Sequence, residues 1–267
     1  MTKSISHLPA SLPASLEHER HDDVSILRLA RPHKRNALND ETVLGIERFF
    51  AELEADVRAV ILDASGDNFS AGLDLSELSE RSTVEGVIHS MMWHRAFEQI
   101  ELGGVPVVAV LKGAVVGGGL ELACAAHIRV AERSAYYALP EGQRGIFVGG
   151  GGSVRVPRLI GASRMADMML TGRVYDAETG QSLGLSHYLV EPGAGLGKAL
   201  ELARRIAANA PITNFAVIHA LPRIAEAGMR EGFMMEALMA AVAQGSDEAK
   251  ERLRAFLEKR AKKVTEF

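Results

Sequence analysis

One cysteine, Cys124, is all the thiol chemistry in a chain of 267 residues. A lone thiol closes no intrachain disulfide, which is compatible with a reducing compartment. Basic charge is not in excess: the formal net charge is −4, which argues against nucleic-acid binding through a general basic surface. No uninterrupted apolar run approaches the ~20 residues that span a bilayer. Residues Met1 to Leu16 lack the apolar core of a signal peptide and read as a mobile arm. A cytoplasmic enzyme is the expectation.

Several familiar motifs are missing as well. Neither glycine cluster, Gly117-Gly118-Gly119 or Gly149 to Gly152, completes G-x-G-x-x-G, and no Gly-Lys-Ser/Thr follows one, so dinucleotide and P-loop readings fail. There is no G-x-S-x-G elbow. The histidines lack zinc-ligand spacing, and His89 and His94 do not share a helical face well, so no metal site is expected.

What is present is an ordinary globular composition, 47% hydrophobic and 24% charged, with ample chain for a core. Val24 to Leu29 alternates as a strand, and Asp40 is a good N-cap for a helix through about Glu54. Val57 to Leu62 reads as a second strand, and Thr83 to Ile100 as a helix carrying Met91, Met92, Trp93 and Phe97. Short strands follow at Ile128 to Ala131 and Ala135 to Leu139. From Ala194 onward the pattern is almost entirely helical. These shifts predict an N-terminal arm over residues 1–20, a mixed α/β core over 21–205 and a helical region over 206–267. The Met-rich faces of that last region, with Met229, Met234, Met235 and Met239, predict an oligomer contact.

The stretch Val105 to Glu121 concentrates the chemistry. A β-branched strand breaks at Lys112-Gly113, passes through three glycines and opens a helix whose first-turn amides lack intrahelical partners. Gly72-Leu73-Asp74-Leu75 and Gly119-Leu120-Glu121-Leu122 match as G-L-acid-L, 47 residues apart, as successive turns of a strand-and-helix spiral would. Glu121 sits in an apolar helical turn, and Glu141 follows the strand pair 20 residues later. A helix and two short strands can return the chain to its own starting end, so both carboxyls could face one cavity and divide acid and base roles. Two surface glutamates would look the same.

Three ordered blocks add specificity: Phe69-Ser70-Ala71-Gly72-Leu73-Asp74, Gly117-Gly118-Gly119-Leu120-Glu121-Leu122-Ala123 and Leu139-Pro140-Glu141. With Arg35-Asn36-Ala37-Leu38-Asn39 upstream and Leu170-Thr171-Gly172 downstream, residues 22 to 260 resemble the crotonase (enoyl-CoA hydratase/isomerase) superfamily. The resemblance implies an α/β spiral of strand-strand-helix repeats with a helical C-terminal trimerisation region, often paired into hexamers. It implies an acyl-CoA substrate and no separate cofactor, with the thioester oxygen held in an oxyanion hole by the backbone N–H groups of Leu73 and Gly118. Glu121 would then be the base on water and Glu141 the proton donor. Lys34, Arg35, Ala37, Ala71, Asp74 and Gly149 fall at substrate-binding positions.

Glutamates at both acid positions favour a hydratase over a simple isomerase. Other enolate reactions of the fold, isomerisation, thioester hydrolysis or aryl-CoA lysis, stay open because Gly142-Gln143-Arg144 is more polar than the usual aliphatic pair. A non-catalytic RNA-binding relative is a further alternative, disfavoured by the negative charge and by both glutamates. Ser76 and Glu77 stand where the family often has a lysine near the adenine of CoA. The cations for CoA would come from Lys34 and Arg35, or from Lys259, Arg260, Lys262 and Lys263. Met91, Met92, Trp93 and Phe97 are candidates for the acyl pocket.

Overall fold

The computed structural model describes residues 12–77 and 81–258; the basic cluster from Lys259 to Lys263 lies outside them. The chain divides into two compact units, at Arg204 and Arg205. In the first, β1 (Leu16–His21), β2 (Val24–Leu29), β3 (Ala59–Ala64), β4 (Val107–Leu111), β6 (Ile128–Glu132) and β9 (Tyr188–Val190) form one sheet in the order β1-β2-β3-β4-β6-β9. A second sheet joins β5 (Ala114–Val116), β7 (Tyr136–Ala138) and β8 (Tyr175–Asp176).

Every pairing from β2 to β9 in the large sheet is parallel, with Val24 opposite Ala59, Val60 opposite Val107, Val108 opposite Ile128 and Val130 opposite Tyr188. The residue types explain this. All residues of β3 and β4 are buried, and continuous Val/Ile/Leu runs suit strands covered on both faces. Each strand stacks beside the strand of the preceding turn, and parallel bridges Leu38–Leu73 and Ser70–Val115 extend the same stacking into the loops.

The helices α1 (Asp40–Ala51), α2 (Thr83–Glu101), α3 (Gly118–Ala125), α4 (Gly152–Ile160), α5 (Ala162–Thr171) and α6 (Ala177–Leu183) intervene, and α7 (Gly195–Ala207) follows β9. Phe69, Phe97, Leu111 and Leu120 are fully buried in the shared core. The second unit is helical: α8 (Pro211–Phe215), a π-helical turn Ala216–Ala220, α9 (Leu221–Glu226), α10 (Met229–Gly245) and α11 (Asp247–Leu257).

Two expectations change. The arm drawn over residues 1–20 gives way at Leu16, because β1 pairs antiparallel with β2 and buries Leu16 opposite Leu29. Its sequence, Leu-Glu-His-Glu-Arg-His, hides this: an edge strand faces solvent with polar residues. The N-cap of α1 is Asn39 rather than Asp40; the Asn39 side chain accepts from the Thr42 N–H at 3.0 Å, leaving Asp40 as the first helical residue.

Candidate active site

Two glycine turns bring two backbone amides to one place. The Leu38–Leu73 bridge uses the Gly72 carbonyl and the Asp74 N–H, so the Leu73 N–H points to the opposite side. Gly118 opens α3, where first-turn amides lack intrahelical acceptors. Among the described residues, neither the Leu73 nor the Gly118 N–H has a protein acceptor. The approach is close: a Cβ on Gly118 would lie 3.4 Å from the Leu73 nitrogen and 2.8 Å from Trp93 Cζ3. Gly72, at φ +87°, brings its backbone against Val116 and Gly118 in the same way. Two unspent donors converging at the end of a helix form a site for an oxyanion.

Glu121 lies one turn into α3 and is 3% exposed. Its Oε1 accepts from the Gly150 N–H at 2.8 Å and the Gly152 N–H at 2.7 Å. The second glycine cluster thus orients the carboxylate from the start of α4. Burial pushes the Glu121 carboxyl above the usual carboxylate range, against the pull of these amides and of the Arg155 charge. Arg155 holds the same loop by donating to the Gly150 carbonyl at 3.1 Å while pairing with Glu101.

Glu141, just after β7, is 7% exposed, and its buried Oε2 has no partner among the described residues. Burial raises this carboxyl too, and the nearby Glu121 charge adds to the rise, while Arg144 opposes it. Leu73, Gly118, Glu121 and Glu141 line one cavity of about 230 Å³, together with Trp93 and Gly149. Glu121 and Glu141 are therefore brought to one cavity, the arrangement that the sequence left open beside two surface glutamates. Two carboxyls in unequal environments on one cavity can divide acid and base roles.

The remaining expected substrate residues cluster elsewhere. Lys34 Nζ donates to Asp74 Oδ2 and to Ser76 Oγ, each at 3.0 Å, and Arg31 donates to the same Asp74 oxygen at 2.8 Å. Ser76, then Lys34 and Arg31, hold the Asp74 carboxyl well below the usual range. Asp74 is thus a buried ionic clamp on the turn that carries Leu73. The Arg35 carbonyl accepts from the Ala71 N–H at 2.9 Å, and the Ala37 carbonyl accepts from Arg31 at 2.9 Å. Arg35 itself is exposed.

Of the apolar candidates, Trp93 lines the cavity, Phe97 belongs to the core, Met92 packs against the core and Met91 is 55% exposed. Gly142-Gln143-Arg144 forms an exposed turn outside the cavity wall. The cavity adds residues that sequence reasoning missed: Arg81, His89, Ser90, Ile146 and Phe147. The one available signal was spacing, since Gly86, His89, Ser90 and Trp93 recur at helical intervals on α2. Among the described residues no group of three or more His, Cys, Asp or Glu could hold a metal ion, and no helix is long and apolar enough to cross a membrane.

A parallel spiral with an amide pair and a carboxyl pair in one cavity defines a fold and site class built to stabilise a developing oxyanion. Comparisons with known proteins agree. The enoyl-CoA hydratase/isomerase family model matches residues 19–266. A short-chain-enoyl-CoA hydratase of Clostridium acetobutylicum is 32% identical over 245 residues, covering 91% of this chain and 94% of the relative. A crystal structure from Rhodopseudomonas palustris shares 59% identity with a TM-score of 0.91, covering 94% of this chain and 98% of that one. The Bacillus anthracis enoyl-CoA hydratase structure is 30% identical with a TM-score of 0.86, covering 92% and 96%. The chain belongs to the enoyl-CoA hydratase/isomerase family.

Proposed function

We propose that the protein is an enoyl-CoA hydratase that adds water across the double bond of a 2-enoyl-CoA thioester. The observation that carries this reading is the facing of two raised-pKa glutamates and two unpaired backbone amides across one cavity. With the thioester oxygen between the Leu73 and Gly118 N–H groups, conjugate addition places negative charge on that oxygen, where the amides lower its energy. Such donors contribute about 3–4 kcal/mol each to comparable reactions. Glu121, its Oε1 held by two amides, takes a proton from water as the water oxygen bonds to the β-carbon. Glu141 delivers a proton to the α-carbon, and the enolate collapses to the 3-hydroxyacyl thioester. The two carboxyls face one cavity and the charge of Glu121 raises the Glu141 pKa, so apparent pKa values belong to the pair rather than to either residue. Every atom comes from water and substrate, and the reaction needs no separate cofactor.

Lys34, Arg35, Ala37 and Ala71 are the proposed contacts for the CoA moiety, with Asp74 fixing Lys34 beside them. We place the enzyme in the cytoplasm as a homotrimer or dimer of trimers. Support for assembly comes from α10, where Met229, Phe233, Met234, Leu238 and Val242 are 54–76% exposed. Loss of the enoyl absorbance of trans-2-hexenoyl-CoA tests the reaction. Both Glu121→Gln and Glu141→Gln are expected to lower the rate by about 10²–10⁴-fold. Full activity in both variants overturns the reading.

A further inference from the structure

The acyl cavity has two unlike ends. Glu121, Glu141 and Trp93 mark the catalytic end, with the benzenoid edge of Trp93 against Gly118 and Gly150. Along α2 toward its N-terminus the wall becomes polar, through Ser90 and His89, and it ends at Arg81, just ahead of the Ser82 N-cap. Ile146 and Phe147, 40% and 68% exposed, contribute apolar surface to the cavity. From Trp93 back to the Ser82 cap is about 16 Å of helix axis, at ~1.5 Å per residue.

The Arg81 charge acts on Asp40 and on the exposed Glu85, and its side chain makes no hydrogen bond among the described residues. Its only ion pair among the described residues is with Asp40 Oδ2 at 3.6 Å, beyond hydrogen-bond reach. The other Asp40 oxygen is committed to His89 Nε2 at 2.6 Å. Asp40 therefore steadies both side chains while no described residue accepts a hydrogen bond from the guanidinium, and a guanidinium fork matches a carboxylate in two parallel hydrogen bonds. A plain alkyl chain would leave these donors without acceptors and would desolvate them at a cost. An anionic tail, in contrast, is repelled from the two glutamates and drawn to Arg81, which fixes its direction in the cavity. The 230 Å³ volume holds about eight water-sized groups at ~30 Å³ each.

We propose that Arg81, positioned by Asp40 with His89, binds a carboxylate at the far end of the acyl group, so that the preferred substrates are short to medium 2-enedioyl-CoA monothioesters. This inference rests on the hydratase reading and narrows its substrate class. Such substrates carry an acceptor for guanidinium donors that no described residue accepts from, and the polar wall of α2 lies along their path.

The test compares kcat/KM for trans-2-hexenoyl-CoA with that for the trans-2-hexenedioyl and trans-2-octenedioyl monothioesters of CoA. The wild-type enzyme is expected to favour at least one dioyl substrate over hexenoyl by 10-fold or more. Arg81→Met is expected to reduce that ratio by 10-fold or more, and Arg81→Lys by less; thermal unfolding confirms that both variants are folded. An equal loss on all three substrates would assign Arg81 to the shared CoA portion and overturn the proposal. So would a wild-type preference for hexenoyl, or a ratio unmoved by Arg81→Met. If hexenoyl-CoA is hydrated without dioyl preference, only this inference falls. If none of the three is hydrated, the hydratase reading falls and takes this one with it.

Discussion

At Glu121 burial and hydrogen bonding oppose each other, and burial prevails. A carboxyl whose folded-state pKa is raised holds its proton more tightly in the folded protein than in the unfolded chain. Ionising it at neutral pH therefore costs folding free energy, fully so above the folded pKa. A glutamine keeps the oxygen that accepts from Gly150 and Gly152 and removes that charge. Glu121→Gln should accordingly unfold at pH 8 at the same or a higher temperature than the parent, while losing activity; a scanning thermal melt beside the enoyl assay checks both. Gly118→Ala tests the amide pair separately. Its Cβ would meet Trp93 at 2.8 Å and sit 3.4 Å from the Leu73 nitrogen, beside the proposed oxyanion donors. The expected loss is about 10²–10³-fold in kcat, the scale of losing one oxyanion donor, measured at saturating enoyl-CoA.

At the scale of elements, caps and edges decide what a pattern leaves open. Asn39 caps α1 through the Thr42 N–H, and Asn39→Ala should lower stability by about 1 kcal/mol, read as a shift in urea midpoint with an unchanged slope. The apolar β-branched run Val107 to Leu111 was legible because a strand buried on both faces needs such residues. So were the glycine turns, since an ordered set of blocks constrains more than any one of them. β1 was not, because its polar residues face solvent and its evidence is the pairing with β2. The reach of Gly150 and Gly152 to Glu121 was hidden for a related reason: about 30 residues of chain separate the partners, and only the folded spiral brings them together. The hold of Asp74 on Lys34 was hidden in the same way, the two residues lying 40 apart in the chain.

For the whole molecule, charge and surface yield two expectations. His187 accepts the Arg129 N–H through Nδ1 at 3.1 Å, and burial lowers its pKa from the ordinary 6.5. A histidine with a lowered folded pKa resists the proton that the unfolded chain binds. Stability should therefore fall as pH drops through and below 6.5, and His187→Gln should flatten that part of a stability-versus-pH curve. Asp74 acts further down: its lowered pKa makes its contribution present above the ordinary 3.8 and lost as pH falls below it. On α10 the spacing of Met234, Leu238 and Val242, four residues apart, makes one exposed apolar stripe. For the proposed assembly, Leu238→Asp should lower the mass read by light scattering toward that of the monomer; an unchanged mass would remove α10 from the interface.

The two amides that grip Glu121 also make it observable. The Gly150 and Gly152 N–H groups each end on the carboxylate oxygen that titrates, at 2.8 Å and 2.7 Å. Their nitrogen and proton resonances are thus built-in indicators of its ionisation. A pH series of amide spectra on the resting enzyme would follow the joint titration of the carboxyl pair with no substrate present.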